Sequence, residues 1–466
     1  MRFLGGLVLL LALAAAGAWV YAGWGGPPVI AIEKPEKFLG RSGDLEVTVT
    51  TARGVDELEI ALEQNGQSTP IFSLGATGES TLVREGADRI RVVRPLTRKD
   101  VPSLKSGEAR ITVTAARHEL YGFRRLASTE SRAIQVRLEP PRLAVVSTHH
   151  FVNHGGAELV VYRTSPADVA SGVRVGEITY PGYPLSGAGI AADPALKMSF
   201  FALLHDQDLT TPVQVFAVDE AGNRASAAVD VRPFRKPFRR SRIEITPQFL
   251  DRVVPAIAEN TPDLDVDQDD RLQAFLRING DLREKNAATI AEQARKTAPE
   301  MLWSSAFQQL SNSAVQSSFA DHRTYFHGGE EIDQQVHLGF DLAVTAAVPI
   351  GAAHRGRVVL AEYLGIYGNC VILDHGMGVQ SLYAHLSSID VAVGDTVEKG
   401  AILGRSGMTG LAGGDHLHFT MLVNGHPVNP VEWWDPKWME DRVLRKIREA
   451  APGASAPAAA EAAAVR

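Results

Sequence analysis

Through much of this chain, apolar residues recur at every second position. Leu45, Val47 and Val49 alternate with polar neighbours in LEVTVT. Ile111-Thr-Val-Thr, Ile134-Gln-Val-Arg-Leu and Val213-Gln-Val-Phe-Ala-Val repeat the pattern. A period of two gives a strand one buried face, so the expected fold is multidomain and mostly β. Residues 27–140 and 141–235 read as two β-sandwich-like modules that meet at Pro140-Pro141. In the second module Asp219 to Asn223 is a turn and Ala227-Ala-Val-Asp-Val231 the return strand. A length of 466 residues leaves room for about three domains. The single cysteine, Cys370, excludes an internal disulfide and any CxxC motif, and within NCVIL it reads as a small buried hydrophobe. With 47 basic and 54 acidic residues the net charge is -7, which gives no electrostatic case for nucleic acid as a partner.

Both ends of the chain differ from this middle. Phe3 to Trp24 carries no charge, and a spanning helix needs about 20 apolar residues. Residues 1–26 are therefore a transmembrane anchor, with Trp19, Tyr21 and Trp24 at the far interface, or a cleaved signal peptide with Leu7–Leu13 as its apolar core. Either reading puts the remainder outside the cytoplasm. Residues 236–318 form a basic linker and a helical segment, in which Leu272, Phe275, Leu276 and Leu282 recur at near-helical spacing. The run Asp263, Asp265, Asp267, Asp269, Asp270 lacks the Gly and Glu of a calcium loop and reads as a solvated acidic loop. Residues 437–450 suggest a terminal helix, and 451–466 a disordered low-complexity tail.

Residues 319–436 carry the chemistry. His337-Leu-Gly-Phe-Asp341 is an HxxxD, and His416-Leu-His418 is an HxH. Residues two or four apart on an extended chain share a side, so each pair can face one point, with Gly339 leaving backbone room. Three N/O ligands with one open position suit a catalytic zinc. A further histidine, His385, lies in LYAHL. No GxSxG serine and no HExxH is present, so a histidine must serve as base.

Four blocks in order, HLGFDLAV (337–344), YGNCVILDHGMGVQSLYAHL (367–386), VGDTVEKGAILGRSGMTG (393–410) and GGDHLHF (413–419), resemble the M23 family of zinc metallopeptidases, of the lysostaphin/LytM type. The resemblance implies a C-terminal antiparallel β domain over 319–436. By the same resemblance His337, Asp341 and His418 would hold one Zn2+, and His385 and His416 would be the catalytic pair. His416 is assigned as general base and His385 to the oxyanion, with the roles exchangeable. Asp415 stands where the family usually has Pro, and Thr420 where it often has Glu. The implied activity is hydrolysis of peptide cross-links in bacterial peptidoglycan, by a protein anchored in the inner membrane facing the periplasm or secreted there. The alternative is a non-catalytic regulator that activates an amidase or binds the wall, since some relatives are degenerate.

The remaining histidines have plainer readings. His375 is structural at a turn, His354 and His426 are surface residues, and His322 and His327 adjoin the first motif. His149, His150 and His154 cluster without a supporting carboxylate. Arg323 and Tyr325 are candidate substrate contacts. The helical segment directly precedes the catalytic block and is a candidate cover for its groove.

Overall fold

The computed structural model describes residues 2–22, 26–51, 54–75, 81–86 and 88–452, without the side chains of 2–5, 22, 81 and 84. Trp24 and the tail from 453 lie outside them. The chain is mostly β and divides into two compact units, one of residues 1–141 with 218–225, the other of 142–217 with 226–466.

Helix Arg2–Ala22 opens the first unit. The expected anchor is thus helical, but among the described residues no helix is long and apolar enough to cross a membrane. The rest of the unit is built on two sheets. One orders strands Val29–Lys34, Ser42–Thr50, Arg89–Thr97 and Thr81–Arg84; the other orders Phe38–Leu39, Arg124–Val136, Gly107–Glu119, Glu57–Gln64 and Gln67–Ser73. Leu45, Val47 and Val49 of the first share a core with Leu58, Ile60, Leu62, Ile111 and Val113 of the second. The alternation is therefore real, with one amendment. Glu46 and Thr48, on the opposite face, are buried too. Lys34 and Arg91 cover the Glu46 carboxylate, and Thr48 Oγ1 donates to Glu33 at 2.6 Å. A face can be polar in composition and still closed to water when its charges are paired.

In the second unit one apolar core runs from Val152, Tyr162 and Phe200 through Trp303, Tyr383 and Phe419 to Trp433 and Ile447. Residues 142–217 supply a sheet of Arg142–Val145, Gly156–Ser165, Leu196–Leu203 and Tyr183–Pro184. The return strand runs Arg224–Ala228, and Val231–Phe234 pairs separately, in parallel, with His150–Asn153. The residues after 436 are helical to Ala450 and dock on strand Gly156–Ser165 through buried Lys446, whose Nζ lies 2.8 Å from Glu158 Oε1.

An antiparallel sheet orders Ala314–Ser317, Phe340–Ala343, His416–Val423, Val379–Leu386, Asn369–Asp374, Gly356–Tyr363 and Thr396–Val397, with His426–Val428 beside His416–Val423. Beside it, the basic run supplies strand Arg240–Glu244, which pairs in parallel with Asp321–His327, so this part of the linker is built into a sheet.

The helical segment follows its caps. Thr246 caps Pro247–Glu259 by accepting from Phe249 N, and Asp270 caps Arg271–Arg277 by accepting from Gln273 N. The acidic run thus ends in a helix cap. Ile278–Leu282 is a π turn leading into helix Arg283–Gln293.

Candidate metal centre

Strand register assembles the site. Asp341 lies opposite His418, Ala343 opposite His416, and Ala384, next to His385, also opposite His418. The HxH pair shares a side as the period of two requires. The HxxxD pair meets for a different reason from the one its spacing suggested. Four residues on an unbroken strand span about 13 Å, too far for direct contact. The chain instead leaves strand Glu330–His337 at Leu338 and enters Phe340–Ala343 beyond Gly339. A Cβ on Gly339 would sit 2.5 Å from His418 Cε1 and Nε2, so a residue with a side chain cannot make this crossing.

The ligand atoms then converge. Asp341 Oδ1 lies 2.9 Å from His337 Nε2, 3.0 Å from His418 Nδ1 and 3.4 Å from His416 Nε2. His337 Nε2 and His418 Nδ1 are 3.0 Å apart. His337, Asp341 and His418 form the one group among the described residues whose ligand atoms all lie within 4.8 Å of one another. The second nitrogen of each ring explains which atoms face inward. His337 Nδ1 faces Ser318 O at 3.2 Å, His416 Nδ1 faces Gly414 O at 2.8 Å and His385 Nδ1 faces Thr409 O at 2.8 Å. A carbonyl only accepts, so each ring carries its proton on that outward nitrogen. Thr420 Oγ1 donates to Leu338 O at 3.0 Å, which leaves it to accept from His418 Nε2 at 3.0 Å. Unprotonated inward nitrogens and a carboxylate oxygen thus meet at one point. Such a set is self-repelling unless a cation lies among it, and two imidazoles with one carboxylate suit a divalent transition metal.

Charge and burial agree with that arrangement. All five side chains are buried. Burial would raise the Asp341 carboxyl, but in the absence of a cation the positive charge that His337 carries when protonated, with the hydrogen bonds that His337, His416 and His418 donate once their inward nitrogens take a proton, outweighs it and holds the group well below the carboxylate range. Burial pulls His418 down to about 4, and burial with the neighbouring His416 and His418 pulls His385 well below its ordinary value. For His416 burial acts downward too, yet the hydrogen bond to Asp341 prevails and its pKa rises.

Sequence reasoning missed the supports. Arg323, read as a substrate contact, is committed to the site itself: its Nη2 donates to Asp341 Oδ2 and to Ser317 Oγ, each at 2.9 Å. That leaves Asp341 Oδ1 for the cluster. Tyr325 is buried against Phe275, ring centroids 6.0 Å apart. Asp415, the departure from the family's Pro, anchors the start of the HxH strand by accepting from Ser406 Oγ at 2.6 Å and Ala347 N at 3.2 Å. His354 is buried rather than superficial, packed on Phe307 with Nε2 3.1 Å from Ser305 Oγ. The HRTY motif and the Thr420 departure were the available signals for the supports.

The cluster opens into a cavity of about 1140 Å³. The helical segment lines it with Phe249, Phe275, Arg283, Glu284, Ala287 and Ile290. That segment is packed into the wall of the cavity. Leu250, Val253, Val254, Ile257, Phe275, Ile278 and Leu282 are buried in one cluster with Tyr325 and Ile366, and Ile290 in another with Leu382 and Leu422. Exposing them would cost about 1.5–3 kcal/mol each, on the scale of a whole domain's stability. Arg252 Nη2 also donates to Ala412 O at 2.8 Å, and Ile366 N to Asn286 Oδ1 at 3.0 Å.

Comparison with known proteins agrees with the geometry. Residues 335–430 match Peptidase family M23 and constitute an M23 peptidase domain. DD-carboxypeptidase/endopeptidase Mpg of Neisseria meningitidis serogroup B is 41% identical over 97 residues, 21% of this chain and 22% of that protein. Peptidoglycan DD-endopeptidase ShyA of Vibrio cholerae serotype O1 is 28% identical over 163 residues, 34% of each chain. Murein hydrolase activator EnvC of Escherichia coli is 33% identical over 106 residues, 22% of this chain and 25% of that one. The matches thus span about a fifth to a third of these relatives' lengths.

Proposed function

Starting from the M23 peptidase domain at 335–430, we propose that this protein is a zinc-dependent endopeptidase that hydrolyses peptide cross-links of peptidoglycan. The observation that carries the reading is the convergence of inward ring nitrogens on Asp341 Oδ1. His337, Asp341 and His418 are the residues that would hold the ion. Bound there, zinc would polarise the scissile carbonyl and acidify a water. His416 presents an unprotonated Nε2, and Asp341 raises its basicity, so it suits the general base. His385 also presents an unprotonated Nε2, and it can donate to an oxyanion only after that atom has taken a proton. The two roles therefore remain exchangeable on this geometry.

The named activities of Mpg and ShyA support D,D-type cross-links as substrate. The uncharged run Phe3–Trp24 supports a place outside the cytoplasm, at the inner membrane facing the periplasm or free in the periplasm. Likeness to EnvC supports a second reading, an activator of wall hydrolases, but an activator has no need of a complete donor set. Digestion of purified sacculi, with products identified by mass, separates them. Conversion of cross-linked dimers to monomers, abolished by a chelator, is the expected result. A zinc-loaded protein that cuts nothing overturns the enzyme reading in favour of the activator.

A further inference from the structure

Asn279, on the π turn, is fully buried, and its Nδ2 donates to Asp333 Oδ2 at 2.7 Å. Four residues on, Arg283 donates from Nε to Asn279 O at 3.0 Å and from Nη2 to Asn279 Oδ1. The extra residue of a π turn thus places an amide where it can orient a guanidinium. Arg283 is half-buried and lines the same cavity as the metal cluster. Tyr367 and His418 line that cavity too, their rings 5.6 Å apart.

What this cation lacks is a counter-charge. Among the described residues no carboxylate forms an ion pair with Arg283. Four of the five carboxylates that line the cavity are otherwise engaged: Asp341 and Asp321 by Arg323, Asp415 by Ser406, and Glu244 by Arg242 at 3.9 Å. Glu284 is exposed on the same wall. A half-buried, pre-oriented guanidinium without an ion-pair partner among the described residues presents a planar fork that suits a carboxylate.

We infer that Arg283 is a specificity residue that holds a free carboxylate of the substrate peptide close to the scissile amide. This rests on the endopeptidase reading and adds the chemistry of the substrate: acidic cross-link peptides over those with the same carboxylate amidated. The helical segment is then part of the substrate cleft.

The test uses the full-length, zinc-loaded protein and two synthetic cross-link peptides that differ only in whether the carboxylate beside the cut bond is free or amidated. Wild type is expected to favour the free acid at least tenfold in kcat/KM. Arg283→Gln should raise KM for the free acid about tenfold with little change in kcat and leave the amidated peptide unaffected, and Arg283→Lys should recover part of the loss. Equal rates of wild type on both peptides, or an equal loss on both in Arg283→Gln, overturns the inference while leaving the endopeptidase reading intact. If Arg283→Gln does not fold, the wild-type preference and the Arg283→Lys profile decide. Cleavage of neither peptide by zinc-loaded wild type overturns the endopeptidase reading, and the inference with it.

Discussion

Two sets of buried histidines occupy the second unit. His337, His385, His416 and His418 each turn one nitrogen to an outward acceptor, and His337, His416 and His418 bring the other within 3.4 Å of Asp341 Oδ1. His150, His354 and His375 are as deeply buried, but their partners are separate and local. His375 Nδ1 pairs with Arg355 O and its Nε2 with Ser381 Oγ, both at 2.7 Å. His150 lies 2.8 Å from Ser147 Oγ and 3.2 Å from Asp230 O, and His354 accepts from Arg355 N at 2.8 Å. Burial therefore does not mark the functional set. A common carboxylate does, with inward nitrogens left without a proton.

The sharpest way to break this contrast is to remove the shared atom. Asp341→Ala should abolish zinc binding and lower sacculus digestion by more than about 10³-fold, and it should also destabilise the metal-free fold, because it leaves the Arg323 guanidinium without its carboxylate. In the other set only stability should suffer. His375→Ala should keep one zinc per chain but lose about 2–4 kcal/mol in denaturant unfolding, from the cavity and the orphaned Ser381 and Arg355 partners.

A smaller effect is expected at Arg323, which touches the site only through Asp341. Arg323→Ala should weaken zinc by about 10–100-fold in a competition titration, and Arg323→Lys should restore part of it. An unchanged zinc affinity would make Arg323 a packing residue only.

The gentlest prediction concerns pH. Burial holds His375 at about 3 and His150 and His354 at about 4. Their folded values lie below the unfolded one, so the unfolded chain binds more protons and stability falls as pH drops from about 6.5 toward 4. The slope is at most about 1.4 kcal/mol per pH unit for each ring, less for the incompletely buried His150 and His354. Replacing His375 by Gln should flatten this slope without changing the metal content. An unaltered slope would remove His375 from the account.

The floor of the cavity was legible in the sequence because His416 and His418 lie two residues apart on one strand, and His337 and Asp341 four apart across a glycine. The strands of the first unit were legible from Leu45, Val47 and Val49 for the same reason. What reaches the site from a distance was not. Arg323 turns to Asp341 because strand pairing brings Asp321–His327 alongside Glu330–His337, a relation that spacing does not express. Asn279 gives no signal at all: its role depends on a π turn and on Asp333, 54 residues away. His354 was read as superficial because its cover, Phe307, lies 47 residues earlier in the chain, in a segment with no periodicity.

The central claim, that inward-facing nitrogens around Asp341 make a metal centre and buried histidines elsewhere do not, is tested most directly by elemental analysis of full-length protein purified with zinc. Wild type and His375→Gln should each carry about one zinc per chain, and His337→Ala essentially none. A His337→Ala protein that holds as much zinc as wild type, or a His375→Gln protein that holds none, would contradict it.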